Sequence, residues 1–397
     1  MKSVSEERSH SGFVLGAAPF GVKAVGPPWR SAVRARRIAA AAAALVLAVF
    51  AAPRIWSAPP PVIPAPAPKP IQIYFIDVEG GQSTLFVTPA GQSLLIDTGN
   101  PGNNGRDADR IVAAAMLAGV RKIDYVLLTH YHSDHVGGVP QLAARIPIGT
   151  FIDHGPNRET DESVVSGATS TERGYLAYQA LLNMGNFKHI LARPGMFLPL
   201  LGIKAEIVTA DGAEISAPLT GAPGSGAANA ACATTEVRPD DKSENYRSVG
   251  TAFTYGKLRI LDLGDLTWDR ERPLVCPANK LGTFDLLVVS HHGLFQSSSP
   301  ALVDAVAPRV AIMDNGARKG GSPPTYDTIE KSPRLEDLWQ LHYSEEGADT
   351  HNVAEPFIAN LHGDDTGFYI KVTAWPDGSM DVYNARTKDT KHYPAGK

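Results

Sequence analysis

Hydrophobic residues come in short β-rich runs at the start of the folded part of the chain, at positions 71–77, 83–88 and 93–96. The turn signals between the runs are Glu79-Gly80-Gly81 and Pro89-Ala90-Gly91. Closely spaced strands joined by turns of this composition predict an antiparallel meander.

After the meander the pattern alternates between helix and strand. A helical pattern over 106–118 leads into an apolar strand at 125–128, and a second helix at 139–145 precedes a strand at 148–153. The second half repeats this order, with strands at 248–255, 258–263 and 285–290, a helix at 301–306 that Ser299-Pro300 would start, and a strand at 309–313. Such alternation predicts a mixed α/β fold.

Between 155 and 246 the pattern of hydrophobic residues weakens. We interpret this range as an insertion, which we expect to cover the functional site described below. Helical pieces at 326–340 and closing strands at 368–374 and 380–383 complete a single predicted domain over residues 71–397.

A separate N-terminal segment precedes this domain. Four arginines between positions 30 and 37 stand before an apolar run at 38–52, and Pro53 and the small residues Ser57 and Ala58 follow. The run is shorter than the roughly 20 residues that span a bilayer, so a cleaved export signal over 1–58 is favoured over a permanent anchor. A proline- and alanine-rich linker covers 59–70. The segment predicts an exported protein, periplasmic or secreted, with membrane contact only here.

Composition narrows the class of protein. The chain has 397 residues, 43% of them hydrophobic, and a formal net charge of −4. It can bury a large core and lacks the basic excess of nucleic-acid coats, so we expect a soluble enzyme without a stable nucleic-acid partner. Cys232 and Cys276 are the only cysteines. In an exported protein they could form one disulfide, and two free thiols are the equally open alternative.

The strongest chemical signal follows the strand at 125–128, where three imidazoles and a carboxylate fall within six positions. His130 and His132 can converge on one cation, while Asp134 and His135 face a second. Mixed nitrogen and carboxylate ligands leave positions open for water, as catalytic sites require. Three surface histidines in a polar loop are the alternative.

Other strand ends offer further candidates. Asp97 ends a strand and is expected to support the metal-binding loop by hydrogen bonds. Asp265 follows the strand at 258–263 and is the candidate for bridging both metals. The alternative is a turn aspartate that caps its own loop for Asp97, and a solvated turn aspartate for Asp265. Of the adjacent pair His291-His292, at most one is expected to bind metal, and His292 is preferred.

The remaining candidates carry weaker signals. His154 is the best spare ligand, with a role away from the metals equally open. Arg318 and Lys319 could hold an anionic group, although a solvated loop is the preferred interpretation. Four further histidines are expected to be structural or at the surface: His189, His342, His351 and His362.

With these residues assembled, the chain resembles the metallo-β-lactamase superfamily, whose HxHxDH signature is matched by His130, His132, Asp134 and His135. More narrowly it resembles the extracytoplasmic domain of ComEC/Rec2 DNA-uptake proteins, at residues 75–78, 95–99, 264–265 and 291–293. The resemblance covers about 71–383. It implies a four-layer αββα sandwich with two divalent metal ions at one edge, usually zinc, with manganese as the other candidate.

The chain departs from the family pattern in three ways. Residues 244–263 contain no histidine ahead of the bridging aspartate, so His154 is the candidate substitute, or the first metal has fewer protein ligands. Gly321-Ser322-Pro323 stands where the uptake proteins often have Gly-His-Pro. We also see no multi-span membrane channel, which argues against DNA transport itself.

The expected function is an exported metal-dependent hydrolase in which two cations share a hydroxide that Asp134 and Asp265 orient. His154 or His291 would contact the substrate or donate a proton to the leaving group. A phosphodiester is the first choice of substrate, by analogy of fold, with an ester, lactone or β-lactam as the rival. A binding module that keeps the fold without catalysis is the second class.

Overall fold

Two β-sheets face each other in the computed structural model, which describes residues 67–159, 170–185, 187–363 and 366–396. The export signal predicted at 1–58, and the linker up to position 66, lie outside the described residues. Among the residues that are described, no helix is long and apolar enough to cross a membrane.

The strands are β1 Ile71–Phe75, β2 Thr84–Val87, β3 Ser93–Ile96, β4 Ile123–Leu127, β5 Ile148–Asp153, β6 Lys188–Leu191, β7 Lys204–Ala210, β8 Ala213–Glu214, β9 Gly250–Tyr255, β10 Leu258–Asp262, β11 Leu286–Val288, β12 Val310–Met313, β13 Asp337–His342, β14 Ile358–Asn360, β15 Ile370–Ala374, β16 Met380–Asn384 and β17 Thr390–Tyr393. The described α-helices are α1 Arg106–Leu117, α2 Ser133–Val136, α3 Val139–Ala143, α4 Thr171–Met184, α5 Trp268–Val275, α6 Pro300–Val306 and α7 Pro323–Glu330. Short 3-10 helices cover Asn103–Gly105, Ala230–Ala233, Glu244–Arg247, Ser290–Gly293 and Glu355–Phe357.

Strand pairing confirms the predicted meander and the mixed α/β fold. The first sheet runs β17-β16-β15-β1-β2-β3-β4-β5-β6, and the second runs β14-β13-β12-β11-β10-β9-β7-β8. The predicted meander is present, because β1, β2 and β3 pair antiparallel. From β3 to β6, and again from β10 to β14, the neighbours are parallel. The carboxyl ends of each parallel set therefore lie at one edge of its sheet.

Three apolar clusters pack the two sheets and the helices against one another. The central cluster lies between the sheets, where the rings of Phe86 and Phe253 stack with centroids 4.6 Å apart. A second cluster packs the outer face of the first sheet on α1, α3 and α4, and a third packs the second sheet on α5, α6 and α7. Together with the two sheets, these layers are the αββα arrangement that the sequence predicted.

The structure confirms one predicted helix start and corrects one predicted helix. Ser299 caps α6, since its hydroxyl accepts a hydrogen bond from the Leu302 backbone N–H at 3.2 Å, and Pro300 occupies the first turn, as predicted. The helical prediction for 326–340 is wrong in its second half. Residues 337–342 form β13, whose positions 338–342 are all buried between parallel neighbours, so the run has no alternation to mark it as a strand.

The range predicted as an insertion contributes to both sheets. It supplies α4 and the edge strand β6 to one side of the fold, and β7 and β8 to the other. Cys232, shortly before the end of the range, is disulfide-bonded to Cys276, with the two Cα atoms 5.8 Å apart. Of the two alternatives left open by the sequence, the structure has the bonded pair.

We predict that Phe253→Ala lowers the free energy of unfolding by about 3–5 kcal/mol, because it removes a buried ring from the cluster between the sheets. Denaturant titration followed by circular dichroism measures the loss. Phe197→Ala is the matched control: this ring is 56% exposed, so its removal should cost less than about 1 kcal/mol. Equal losses in the two variants would contradict the assigned core.

Candidate metal centre

The candidate site lies where parallel strands of both sheets end. His130 follows β4, Asp265 follows β10 and His292 follows β11. All three side chains are buried although they are polar, and they come from segments far apart in the chain. The structure therefore brings together residues that the sequence offered only as separate strand-end candidates.

Asp97 holds the metal-binding loop in place. Its carboxylate accepts hydrogen bonds from the Thr129 backbone N–H at 2.8 Å and from the Thr129 hydroxyl at 2.6 Å. The same carboxylate lies 2.7 Å from His135 Nδ1. A carboxylate at one ring nitrogen fixes the proton there and turns the other nitrogen, Nε2, toward the site. This is the position expected of a residue that supports the loop.

Four side chains form a group with the geometry of a cation site. One ligand atom from each of Asp134, His135, Asp265 and His292 lies within 4.8 Å of all the others. His135 Nε2 is 3.1 Å from Asp265 Oδ2 and 3.2 Å from His292 Nε2. His292 Nε2 is also 3.3 Å from Asp134 Oδ2. Ring nitrogens and carboxylate oxygens that face one common point fit a divalent cation such as zinc or manganese.

An orphaned atom supports that fit. Asp265 Oδ1 is buried and has no hydrogen-bond partner, which is costly for a carboxylate unless a cation compensates it. Without a cation, burial alone would raise the pKa of Asp265, but the imidazoles of His135, His292 and His291 outweigh burial and hold the pKa well below its usual range. The carboxylate is thus kept as an anion, the form that binds metals.

The first two histidines of the signature form the other half of the site. His130 Nε2 is 3.0 Å from His132 Nδ1 and 3.8 Å from Asp265 Oδ2. Asp265 Oδ2 therefore lies between this histidine pair and the other three members of the four-residue group. That is the placement expected of a ligand shared by two cations, as the sequence predicted for Asp265.

Two glutamates that the sequence analysis missed support this half. Glu159 Oε2 lies 3.0 Å from His132 Nε2 and accepts the Glu244 backbone N–H at 3.1 Å. Because a carboxylate only accepts, His132 Nε2 carries the proton and Nδ1 is free to face His130. Glu244 Oε2 in turn lies 2.9 Å from His154 Nε2. His154 is therefore held behind Glu244 and is not one of the four grouped ligands.

The adjacent histidines diverge, as predicted. His291 and His292 both have left-handed backbone angles, φ 57° and 55°, and their ring centroids are 6.1 Å apart with planes at 72°. His292 faces the four-residue group, while His291 Nδ1 lies 3.2 Å from the Ser297 hydroxyl. His291 Nε2 is 3.5 Å from Asp265 Oδ2. Consecutive left-handed residues are strained, and such strain is concentrated at functional sites.

Lys319 departs from the expectation of a solvated loop by its contact with a proposed ligand, although its side chain is 39% exposed. Its ammonium contacts Asp134 Oδ2 directly, beside the four-residue group. Arg318 matches the expectation, because its side chain is 86% exposed and pairs with Glu345. Neighbouring cations of one loop therefore lie in quite different environments.

Two further buried carboxylates, Asp262 and Asp314, were not among the residues singled out from the sequence. A Cβ at Gly81 would lie 2.4 Å from the Asp134 carbonyl oxygen, so only glycine fits there. This close approach places Gln82 Nε2 as a donor to Asp262 Oδ2 at 2.7 Å. Burial raises the pKa of Asp262 to about 7. Asp314, also missed from sequence, lies 3.5 Å from His292 Nδ1.

A second group of possible ligands has a different character. Asp77, Glu79 and His342 also offer atoms within 4.8 Å of one another. Arg110 already supplies positive charge there, with Nη1 2.9 Å from Asp77 and 3.5 Å from Glu79. This group is a structural ion-pair network, in keeping with the structural role expected of His342.

Three further histidines on the described part of the chain are not grouped with the candidate ligands. His189 pairs with Asp153 and His351 with Asp327. His362 is 70% exposed. None of the three belongs to either ligand group found among the described residues.

Residues 76–227 match the family model of the Metallo-beta-lactamase superfamily. The chain is similar to an atrochrysone carboxyl ACP thioesterase of Cryptosporiopsis sp. (35% identity over 80 residues, 20% of this chain and 24% of the relative). It is also similar to Recombination protein 2 of Haemophilus influenzae (24% identity over 264 residues, 66% of this chain and 26% of the relative). A solved structure, the metallo-beta-lactamase fold protein YhfI from Bacillus subtilis, is 13% identical with a TM-score of 0.38, covering 68% of this chain and 95% of that one.

The part of the chain that holds the HxHxDH residues therefore matches the metallo-beta-lactamase superfamily, as those residues indicated. It spans about a quarter of the length of the two curated relatives. The superfamily binds divalent metals, and the grouped histidines and aspartates described above are where this chain can hold them.

We predict that Asp265→Asn lowers the metal content of the purified protein from two ions toward none, because it removes the charge shared by both halves of the site. Inductively coupled plasma mass spectrometry after zinc loading and dialysis measures the content. Asp304→Asn, a change of the same kind on α6 away from the site, is the matched control and should keep the wild-type content. Two ions retained by Asp265→Asn would contradict the bridging position.

Proposed function

We propose that this chain is a metal-dependent hydrolase that cleaves a phosphodiester. The observation that carries the proposal is the position of Asp265 Oδ2, 3.1 Å from His135, 3.4 Å from His292 and 3.8 Å from His130. Bound divalent cations would lower the pKa of a water molecule toward neutrality and polarise the scissile group.

Two kinds of role are assigned to the residues of the site: holding the cations and orienting the ligand rings. His130 and His132 would hold one cation, His135, His292 and Asp134 the other, and Asp265 both. Asp97 and Glu159 orient the rings of His135 and His132 through the second ring nitrogen.

We assign substrate contact to the less deeply buried of two histidines. His291 is 8% exposed, whereas the ring of His154 is fully buried against Glu244. Of the two histidines considered for substrate contact or proton transfer, we therefore choose His291, and we assign His154 to support of the Glu159–Glu244 pair.

Two observations favour a phosphodiester. The similarity to Recombination protein 2 extends over 66% of this chain, and that relative is named for a process on nucleic acid. Lys319 also places a positive charge beside the proposed cations, which suits an anionic substrate.

The second candidate is hydrolysis of an ester, thioester, lactone or β-lactam. The similarity to a named thioesterase supports it, although that match covers 20% of this chain. A non-catalytic binding module is less well supported, since binding alone does not need six converging metal ligands.

Turnover assays separate these functions. We expect the zinc- or manganese-loaded protein to hydrolyse bis-p-nitrophenyl phosphate faster than nitrocefin, p-nitrophenyl acetate or a homoserine lactone. His132→Ala should abolish both metal retention and turnover while the circular dichroism spectrum is unchanged, and His362→Ala should match the wild type. A preference for the neutral esters would move the assignment to the second candidate, and no turnover at full metal content would favour the binding module.

We further propose that the protein is exported. The apolar run at 38–52, after four arginines, supports a cleaved signal. The Cys232–Cys276 disulfide supports the same location, because disulfides persist in oxidising compartments.

Processing of the N-terminus tests export. We expect mass spectrometry of protein recovered from the periplasm or medium of an expressing bacterium to find a mature N-terminus between residues 52 and 58. A chain found uncleaved in the cytoplasm, with Cys232 and Cys276 reduced, would contradict the proposal.

A further inference from the structure

Lys319 is held by a turn built against the metal centre. The Gly316 N–H donates to the Lys319 carbonyl oxygen at 2.8 Å, and the Gly321 N–H donates to the His292 carbonyl oxygen at 2.9 Å. A Cβ at Gly320 would lie 2.1 Å from the His292 carbonyl oxygen, so the turn can approach this closely only with glycine there. The backbone of Lys319 is thereby fixed beside a proposed ligand.

The lysine side chain joins the centre from the solvent side. Its ammonium contacts Asp134 Oδ2, the oxygen that also lies 3.2 Å from His135 Nε2 and 3.3 Å from His292 Nε2. The side chain is 39% exposed, whereas Asp134 is 14% exposed and both rings are fully buried. Lys319 thus stands between the buried ligands and solvent.

Charge balance indicates what Lys319 does in the loaded site. A cation bound by Asp134 would use the same carboxylate charge that Lys319 contacts. The ammonium would then stand beside a like charge, with Asp265 also engaged by the cations. An anionic group arriving from solvent would relieve this repulsion and accept a charge-assisted hydrogen bond.

We propose that Lys319, together with the cations of the metal centre, forms a subsite for an anionic oxygen of the substrate. The subsite makes the centre prefer a monoanionic phosphodiester to a neutral ester or lactone. This inference rests on the proposed hydrolase function and deepens it by assigning the residue that selects substrate charge. Lysine suits the role because its compact ammonium can turn from Asp134 to a ligand.

Binding of inorganic phosphate to the zinc-loaded, full-length protein tests the subsite directly. By isothermal titration calorimetry we expect Lys319→Met to raise the Kd for phosphate about tenfold, the loss of one charge-assisted hydrogen bond. Arg318→Met removes the same charge from the exposed neighbouring position and should leave the Kd within twofold of wild type. Zinc content, measured on the same samples, should be two ions in every variant.

Steady-state kinetics distinguishes a role of Lys319 in selecting substrate charge from a purely structural role. Lys319→Met should raise the KM for bis-p-nitrophenyl phosphate about tenfold with kcat little changed, leave turnover of p-nitrophenyl acetate unaffected, and be partly rescued by Lys319→Arg.

Several results would overturn the proposal. These are phosphate binding that Lys319→Met does not weaken, equal weakening by Arg318→Met, loss of zinc from Lys319→Met, or no phosphate binding by the wild type. Should the wild type hydrolyse none of the substrates, the proposed function fails, while the calorimetric comparison still decides the role of Lys319.

Discussion

The buried carboxylate of Asp265 needs a compensating positive charge. The rest of the site depends on this requirement, because the fold must gather the groups that supply or bind that charge. Its side chain is buried, one oxygen has no hydrogen-bond partner, and the other lies close to histidines from both halves of the chain. Removing such a group from water is expensive unless a cation or its equivalent compensates it. The fold can hold these residues together because the parallel strands of two facing sheets end at the same edge.

Much of this arrangement could be predicted from sequence because it is local or follows from strand ends. His130, His132, Asp134 and His135 share one short loop, so their convergence needs no knowledge of the fold. Asp265 and His292 are distant in sequence, yet each follows an apolar strand, and carboxyl ends of parallel strands meet at one edge. Alternating helix and strand patterns likewise predict a mixed α/β fold, and the resemblance to the metallo-β-lactamase superfamily implies its αββα layers.

The other parts of the site and fold could not be predicted, because they depend on contacts that the pattern of hydrophobic residues does not reveal. Glu159 and Glu244 are 85 positions apart in a stretch with weak patterning, so their contact behind His132 has no sequence signal. Lys319 sits in a glycine-rich loop typical of solvent exposure, and only the placement of β12 beside β11 brings that loop to His292. The strand at 337–342 was missed because burial on both faces removes its alternation.

The central claim is that two cations share Asp265 at the meeting of the two sheets. Anomalous diffraction from crystals of zinc-loaded protein, recorded at the zinc absorption edge, tests it most directly. We expect two peaks flanking the Asp265 carboxylate, one beside His130 and His132 and the other beside Asp134, His135 and His292. A single peak away from Asp265, or peaks only at Asp77 and His342, would contradict it.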